Sequence, residues 1–191
     1  MKLAKTAFVL TAGVLFSVAA FAQTVGTEVQ RNANQQERIE QGLKSGELNT
    51  REAAKLEREE SRVDRMQANA LKDGNLSPEE AARINKAQNK VSSDIYNEKH
   101  DAQKGNPNSA SSQRMQGDVQ RNINQQKRIG QGVQSGSLSN REVARAERGQ
   151  SRVSRAEANA GADGHVGPNE QRRIQRKENR QSAHIYHEKH N

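Results

Sequence analysis

The chain has 191 residues, a formal net charge of +8 and no cysteine, and 31% of its residues are hydrophobic and 3% aromatic. The lack of cysteine excludes disulfides and thiolate chemistry. The low apolar content permits only a thin core in any small unit of this chain. We therefore expect marginally stable domains that depend on packing, oligomerisation or bound ions.

Residues 1–22 have the pattern of a cleavable secretory signal peptide. Lys2 and Lys5 precede an apolar run that ends at the small-residue motif Ala20-Phe21-Ala22. This run is short for a membrane span, and no second apolar stretch follows it. The sequence thus predicts an exported protein, periplasmic or secreted, with no transmembrane segment in the mature chain. Residues 23–28 are expected to form a short disordered lead-in.

Residues 29–101 recur as residues 119–191 with a constant offset of 90, and 39 of the 73 aligned positions are identical. These segments are named repeat 1 and repeat 2. Residues 102–118 separate them and begin with small and polar residues, which are typical of a flexible linker. The duplication therefore predicts two tandem domains, one for each repeat.

Apolar residues within each repeat recur at helical spacing. Ile84, Val91 and Ile95 follow one another at steps of seven and four residues, and no segment alternates like a strand. The pattern predicts three helices in repeat 1, at roughly 29–43, 50–69 and 78–99. The expected fold class is all-α, with two tandem three-helix domains joined by a flexible linker.

The joints between the predicted helices carry the motif G-x-[LV]-x-x-x-E, which begins at Gly46, Gly74, Gly136 and Gly164. One interpretation is structural. The glycine ends a helix in the left-handed conformation, and the apolar residue enters the core. The glutamate then helps to cap the following helix.

The motif also resembles the calcium loop of EF-hand helix-loop-helix units, in which glycine takes the sixth place and glutamate the twelfth. Asp73 and Asp163 fall in the fifth place, whereas the third place holds Leu71 or Gly161, which offer no side-chain oxygen. The resemblance covers two twelve-residue windows per repeat and implies a divalent cation, calcium, in the second window. The ligands that it implies are Asn69, Asp73, Asn75, Glu80, Asn159, Asp163, His165 and Glu170.

A second candidate metal site lies near the end of the chain, at His184, His187 and His190. Imidazole is a ligand for copper, nickel and zinc. Steps of three residues spiral around a helix, so the outer two histidines converge only if the helix end unwinds. The alternative interpretation is a solvated helix terminus.

The two repeats differ clearly in charge. Repeat 1 has 13 Lys+Arg and 14 Asp+Glu, which gives −1, whereas repeat 2 has 14 and 7, which gives +7. A basic surface suits an anionic envelope component or an acidic protein. Nucleic acid is disfavoured because few aromatic residues are present to stack on bases. The alternative is a solvated basic surface with no dedicated partner. The residues expected to contact an anionic surface are Arg145, Arg148, Arg152, Arg155, Arg172, Arg173 and Arg176.

Motifs of catalysis are missing from the sequence, which has neither a nucleophile elbow nor a phosphate-binding glycine loop. The many carboxylates are expected on solvated helix faces, where no pocket shifts their pKa. We therefore predict an exported, non-catalytic binding or envelope-stress module. The competing hypothesis is a protein that binds or buffers divalent metals, and both hypotheses leave homo-oligomerisation open.

Overall fold

The computed structural model describes residues 16–190, with side chains from residue 25 onward. Over these residues the chain forms α-helices and one short 3₁₀ helix, Leu71–Asp73, but no strand. The helices are α1 (Phe16–Ser45), α2 (Thr50–Ala70), α3 (Pro78–Lys99), α4 (Ala110–Ser135), α5 (Asn140–Ala160) and α6 (Pro168–Lys189). The predicted all-α class is confirmed. None of these helices contains an apolar stretch long enough to cross a bilayer.

Two segments that were expected to be irregular are helical. Residues 23–28, the expected disordered lead-in, belong to α1, and residues 110–118 of the expected linker form the start of α4. Val25 and Met115 are buried in these segments. Each lies one helical turn before a buried valine, so it extends the buried face of its helix. Residues 1–15 of the predicted signal peptide lie outside the described residues.

Equivalent helices of the two repeats pack against each other, α1 with α4 and α2 with α5. Ser61 and Ser151 are 90 residues apart, and the Oγ of each donates a hydrogen bond to the carbonyl oxygen of the other, both at 2.8 Å. Glu37 and Lys127, also 90 residues apart, form an ion pair at 2.6 Å.

Contacts run in opposite directions along the paired helices. Ala54 near the start of α2 lies beside Gly161 at the end of α5, and Val133 near the end of α4 lies beside Gly26 of α1. The paired helices are therefore antiparallel, and an approximate two-fold axis relates the repeats.

The hydrophobic core is shared between the repeats. One cluster joins Leu56 and Ile95 of repeat 1 to Ile174 of repeat 2. The other cluster joins Ile84 of repeat 1 to Ile185 of repeat 2. The expected pair of separate three-helix domains is therefore not confirmed. The physical reason is the low apolar content, since pairing lets two thin apolar faces bury each other.

The connection between the repeats is held against the turn between α1 and α2. The backbone N–H of Gly105 donates a hydrogen bond to the carbonyl oxygen of Gly46 at 2.9 Å. A Cβ at Gly105 would lie 2.3 Å from the carbonyl oxygen of Leu48, so only glycine permits this approach. The flexible linker expected here is not confirmed.

Gly161 allows the end of α5 to approach the start of α2. A Cβ at this position would lie 2.8 Å from the Cβ of Ala54 and 3.1 Å from the carbonyl oxygen of Thr50. We expect Gly161→Ala to lower the free energy of unfolding by about 1–3 kcal/mol, as overpacking does, which thermal unfolding will measure. Gly117→Ala is the control, because nothing lies within 4 Å of a Cβ there and alanine favours the helix. Stabilisation by both variants would contradict the close approach.

Candidate functional site

The glycine turns before α3 and α6 have the geometry of helix ends. Gly74 has φ of 95° and Gly164 has φ of 91°, in the left-handed region that favours glycine. In the first of these turns, Oδ1 of Asp73 accepts a hydrogen bond from the backbone N–H of Asn75 at 2.9 Å. The second turn repeats this bond with equivalent residues. The aspartates thus hold the turns through their own backbone.

The glutamates of the motif cap the helices that follow. Glu80 accepts hydrogen bonds from the backbone N–H and the hydroxyl of Ser77, at 3.0 and 2.9 Å. Glu170 accepts one from the backbone N–H of Gly167 at 2.8 Å. The motif glutamates in the first turns of α2 and α5 make the same type of bond. The helix-cap interpretation therefore accounts for all four copies.

Each of the two turns before α3 and α6 is also bound by an arginine of the other repeat. Nη2 of Arg141 donates to the carbonyl oxygen of Asp73 at 3.0 Å, and Nη2 of Arg51 donates to that of Asp163 at 2.9 Å. The turns therefore connect the repeats. A guanidinium at each turn opposes the binding of a further cation there.

The remaining residues of the calcium hypothesis are exposed or, in the case of Glu80 and Glu170, half-buried. Asn69 and Glu80 line one shallow pocket of about 170 Å³ together with Arg83. Asn159 and His165 are exposed, as are Asp73 and Asp163. The structure thus brings one asparagine close to one glutamate but places an arginine beside them. Calcium binding stays a prediction that this arrangement does not favour.

The three histidines of α6 and its end have different neighbours. His190 stacks on Tyr186 with ring centroids 4.2 Å apart, and His187 meets the same ring edge-on at 5.9 Å. Nε2 of His184 lies 3.5 Å from Oε1 of Glu188. No group of three ligand atoms within 4.8 Å of one another includes a histidine in the described part of the chain. The placement does not favour a copper, nickel or zinc site.

One group of acids does meet that distance criterion. Ligand oxygens of Glu52, Glu98 and Asp101 lie within 4.8 Å of one another. Glu98 forms an ion pair with Lys55, and Glu52 accepts a hydrogen bond from the backbone N–H of Asn49 at 2.9 Å. Capping and pairing account for the position of these two carboxylates without a metal.

A basic groove of about 270 Å³ lies between α5 and α6 of repeat 2. Two of the arginines expected from the sequence, Arg145 and Arg152, line it. Lys177 and Arg180 were missed, although their spacing with His184 along α6 places all three on one helix face. The complete lining is Arg145, Gly149, Arg152, Val153, Lys177, Arg180, Gln181 and His184.

The other arginines expected at an anionic surface lie outside this groove. Arg148 is half-buried, and Arg172 donates a hydrogen bond to the side chain of Asn169. Arg155, Arg173 and Arg176 are exposed. They add positive charge to the faces of α5 and α6 around the groove.

Sequence reasoning also missed an acidic interior. It placed the carboxylates on solvated faces, which is wrong for those that the pairing of the repeats covers. Eight carboxyl side chains are each at most 3% exposed: Glu28, Glu57, Glu60, Asp64, Asp118, Glu147, Glu157 and Glu178. Pairing of the repeats covers Asp64, whose Oδ1 accepts a hydrogen bond from Nε2 of Gln126 in repeat 2 at 3.4 Å. Glu178 is covered within its own repeat, where it pairs with Arg121.

Buried amides partly satisfy these acids. Nε2 of Gln36 donates to Oε2 of Glu57 at 3.2 Å, and the same pair recurs 90 residues later at 3.1 Å. Nδ2 of Asn122 donates to Oε2 of Glu157 at 2.7 Å. The other oxygen of each of these glutamates receives no hydrogen bond from the described residues. The amides therefore hold these acids in place but satisfy only one of the two oxygens of each carboxyl group.

Burial shifts these acids toward their protonated forms. It raises the pKa of Glu57 to about 7 and that of Glu147 to about 8 against the opposing effect of the amide bonds. Burial raises the pKa of Asp118 to about 8, and the charge of Glu178 adds to the shift. Glu178 itself has a pKa of about 7, because burial outweighs the ion pair with Arg121 at 3.1 Å. The interior therefore binds protons near neutral pH.

Comparison with known proteins gave no match. No protein-family model, curated protein or solved structure matches the chain.

The raised pKa values make the stability of the protein depend on pH. The unfolded carboxyls have a pKa near 4.5 and the folded ones reach about 7 to 8, so unfolding releases protons between these values. The resulting stability is fully present below the unfolded pKa and is lost as the pH rises through the folded values. We expect the midpoint of thermal unfolding to fall by several degrees from about pH 5 to about pH 8.

Glu60→Gln tests this assignment, because burial raises the pKa of Glu60 well above its ordinary value and glutamine occupies the equivalent position, Gln150. The variant should raise the midpoint at the higher pH and flatten its pH dependence. Glu79→Gln on the exposed surface is the control and should change neither. A midpoint for the unmodified chain that does not vary over this range would mean that the acids are ionised in the folded state.

Paired variants separate the two interpretations of the turns. Replacing Asp73 and Asp163 together with alanine removes one exposed hydrogen bond at each turn, which we expect to cost about 1 kcal/mol or less for each. Gly74→Val should cost more, about 1–3 kcal/mol, because it places a β-branched residue at φ of 95°. Circular dichroism melts with and without calcium measure both. A calcium-dependent rise in the midpoint that the aspartate variant abolishes would establish a metal site instead.

Proposed function

We propose that this chain is an exported, non-catalytic binding protein whose second repeat presents a cationic surface to an anionic component of the cell envelope. The observation that carries the proposal is the contrast between equivalent surfaces of the two repeats. Both repeats contribute the same kinds of helix to a shared core, yet they carry formal charges of −1 and +7. The charge difference is therefore not explained by a different fold.

Substitutions on the outer faces support this proposal. Glu59 and Asp94 lie on the partly exposed surface of repeat 1, and Gly149 and His184 take their places in repeat 2. The basic residues of these helices are retained or exchanged for one another, as in the pair Arg62 and Arg152. Loss of acids beside retained bases produces a surface that attracts anions.

The buried acids strengthen the cationic character of this surface. Of the seven acidic residues of repeat 2, Glu147, Glu157 and Glu178 are buried. Burial raises the pKa of each, so these groups tend to be uncharged near neutral pH. The surface of repeat 2 is accordingly more positive than its formal charge of +7 indicates.

The position of the buried acids favours binding over catalysis. A general acid or base must reach the proton that it transfers, either directly or through one water. None of the eight buried acids lines the groove between α5 and α6. The alternative of metal binding or buffering has less support, because the turn carboxylates already hold turns and helix caps.

Binding of the mature chain to anionic vesicles tests this function. We expect sedimentation with phosphatidylcholine vesicles only when they also contain phosphatidylglycerol, and a steep loss of binding between about 50 and about 300 mM salt. Arg155→Glu combined with Arg173→Glu should weaken binding. The matched control is Arg65→Glu with Arg83→Glu, at the equivalent exposed positions of repeat 1. The full chain is required because the repeats share their core.

Equal losses in the two double variants would contradict a contact through repeat 2. Binding that does not respond to salt would contradict the electrostatic origin of the contact.

A further inference from the structure

The groove between α5 and α6 has a counterpart in repeat 1 that is closed by ion pairs. Lys90 of α3 lies 3.5 Å from Oε1 of Glu59 on α2, and it also pairs with Asp94 one turn further along its own helix. Both acidic side chains are largely buried, with exposed fractions of 14% and 22%. The cation at this place in repeat 1 is therefore neutralised within the chain.

Repeat 2 keeps this cation but has lost both acids. Arg180 replaces the lysine, while Gly149 and His184 replace the glutamate and the aspartate. Lys177 adds a further positive charge where repeat 1 has an alanine. The formal charge at these four positions changes from −1 to +2 with the histidine neutral.

Gly149 keeps the groove in its observed form. A Cβ at this position would lie 1.7 Å from Oε1 of Gln181. Gln181 is buried, and its Nε2 donates a hydrogen bond to the carbonyl oxygen of Ala146 at 2.8 Å. The floor of the groove is thus fixed by a glutamine that packs against a glycine.

Three of the cationic side chains that line the groove have no partner among the residues whose side chains are described. The side chains of Arg152, Lys177 and Arg180 form no hydrogen bond or ion pair with any residue whose side chain is described. Arg145 is different, because its Nε and Nη2 donate to the two oxygens of Glu188, both at 2.7 Å. The groove therefore holds free donors on three positive side chains that repel one another and have no ion pair with the described residues.

A phosphate group matches this set of donors. Its oxygens accept several hydrogen bonds at once, and guanidinium groups bind phosphate through two parallel N–H donors. The groove, at about 270 Å³, falls just below the usual size of pockets for drug-sized ligands. No phenylalanine, tyrosine or tryptophan lines it, which argues against recognition of a nucleobase.

We propose that the groove between α5 and α6 binds a phosphate group through Arg152, Lys177 and Arg180. The proposal rests on the function proposed above, since it names the chemistry that the cationic surface recognises. The phosphate could belong to a lipid headgroup or to free inorganic phosphate, and the two sources are distinguishable by experiment.

Calorimetric titration of the mature chain with inorganic phosphate at low salt tests the site. Lys177→Ala should weaken phosphate binding about tenfold or more, because it removes one charged donor. Alanine is the residue of repeat 1 at this exposed position, so the fold should persist, which circular dichroism checks. His184→Asp should weaken binding similarly, because it restores the acid that neutralises the cation in repeat 1. Arg62→Ala, equivalent to Arg152→Ala but in repeat 1, is the control and should leave binding unchanged.

Two outcomes overturn the phosphate site. One is failure of the unmodified chain to bind phosphate at millimolar concentration. The other is equal binding by the unmodified chain and by both groove variants. Persistence of salt-dependent vesicle binding in either case would leave the broader proposed function standing without the groove.

Vesicles distinguish the sources of the phosphate group. If a lipid headgroup occupies the groove, the chain should sediment with phosphatidylcholine vesicles that contain phosphatidic acid. Free phosphate should then displace the chain from these vesicles. If the chain binds inorganic phosphate in the calorimeter but binds no anionic vesicle, the groove is a site for free phosphate. That result would also exclude a lipid surface as the envelope component of the proposed function.

Discussion

Burial of the facing surfaces of α2 and α5 is the constraint on which the other features of this molecule depend. Ser61 and Ser151 meet near the two-fold axis, and both hydrophobic clusters extend across it. The interface is rich in amides and carboxyls, so its stability depends on hydrogen-bond partners as well as on apolar area. Separating the repeats would expose both clusters at once and would hydrate those buried acids that face the other repeat, such as Asp64.

The differences between the repeats are consistent with this interface. A symmetric pair of two copies of repeat 1 would bring Glu60 and Asp64 of both copies into the buried layer, where the charged forms are strongly disfavoured. In this chain the equivalent positions hold Gln150 and Ser154, which are also buried. Loss of acids from repeat 2 therefore has two consequences. It reduces repulsion inside the molecule, and it leaves cations without partners outside.

The sequence was sufficient where local interactions determine the structure. The start of α3 follows from Gly74, Ser77 and Pro78, whose effects act within one or two turns of the helix. The helical state of residues 23–28 and the burial of Glu57 could not be derived in this way, because they depend on which helix covers them. The groove could be predicted only in part. Arg152 was expected at an anionic surface, whereas the relevance of Lys177 appears only when α6 is placed beside α5.

The buried interface and the groove are mechanically connected through α5. Arg152 follows Ser151 directly, so the contact on the two-fold axis fixes the height and rotation of the helix that carries the groove cation. Gln181 of α6 bonds to the backbone of α5 beside Gly149 and fixes the opposite wall. A ligand that binds only this assembled groove must stabilise the paired state of the repeats. Protonation of the interior favours the same state, so low pH and an anion in the groove act in the same direction on the fold.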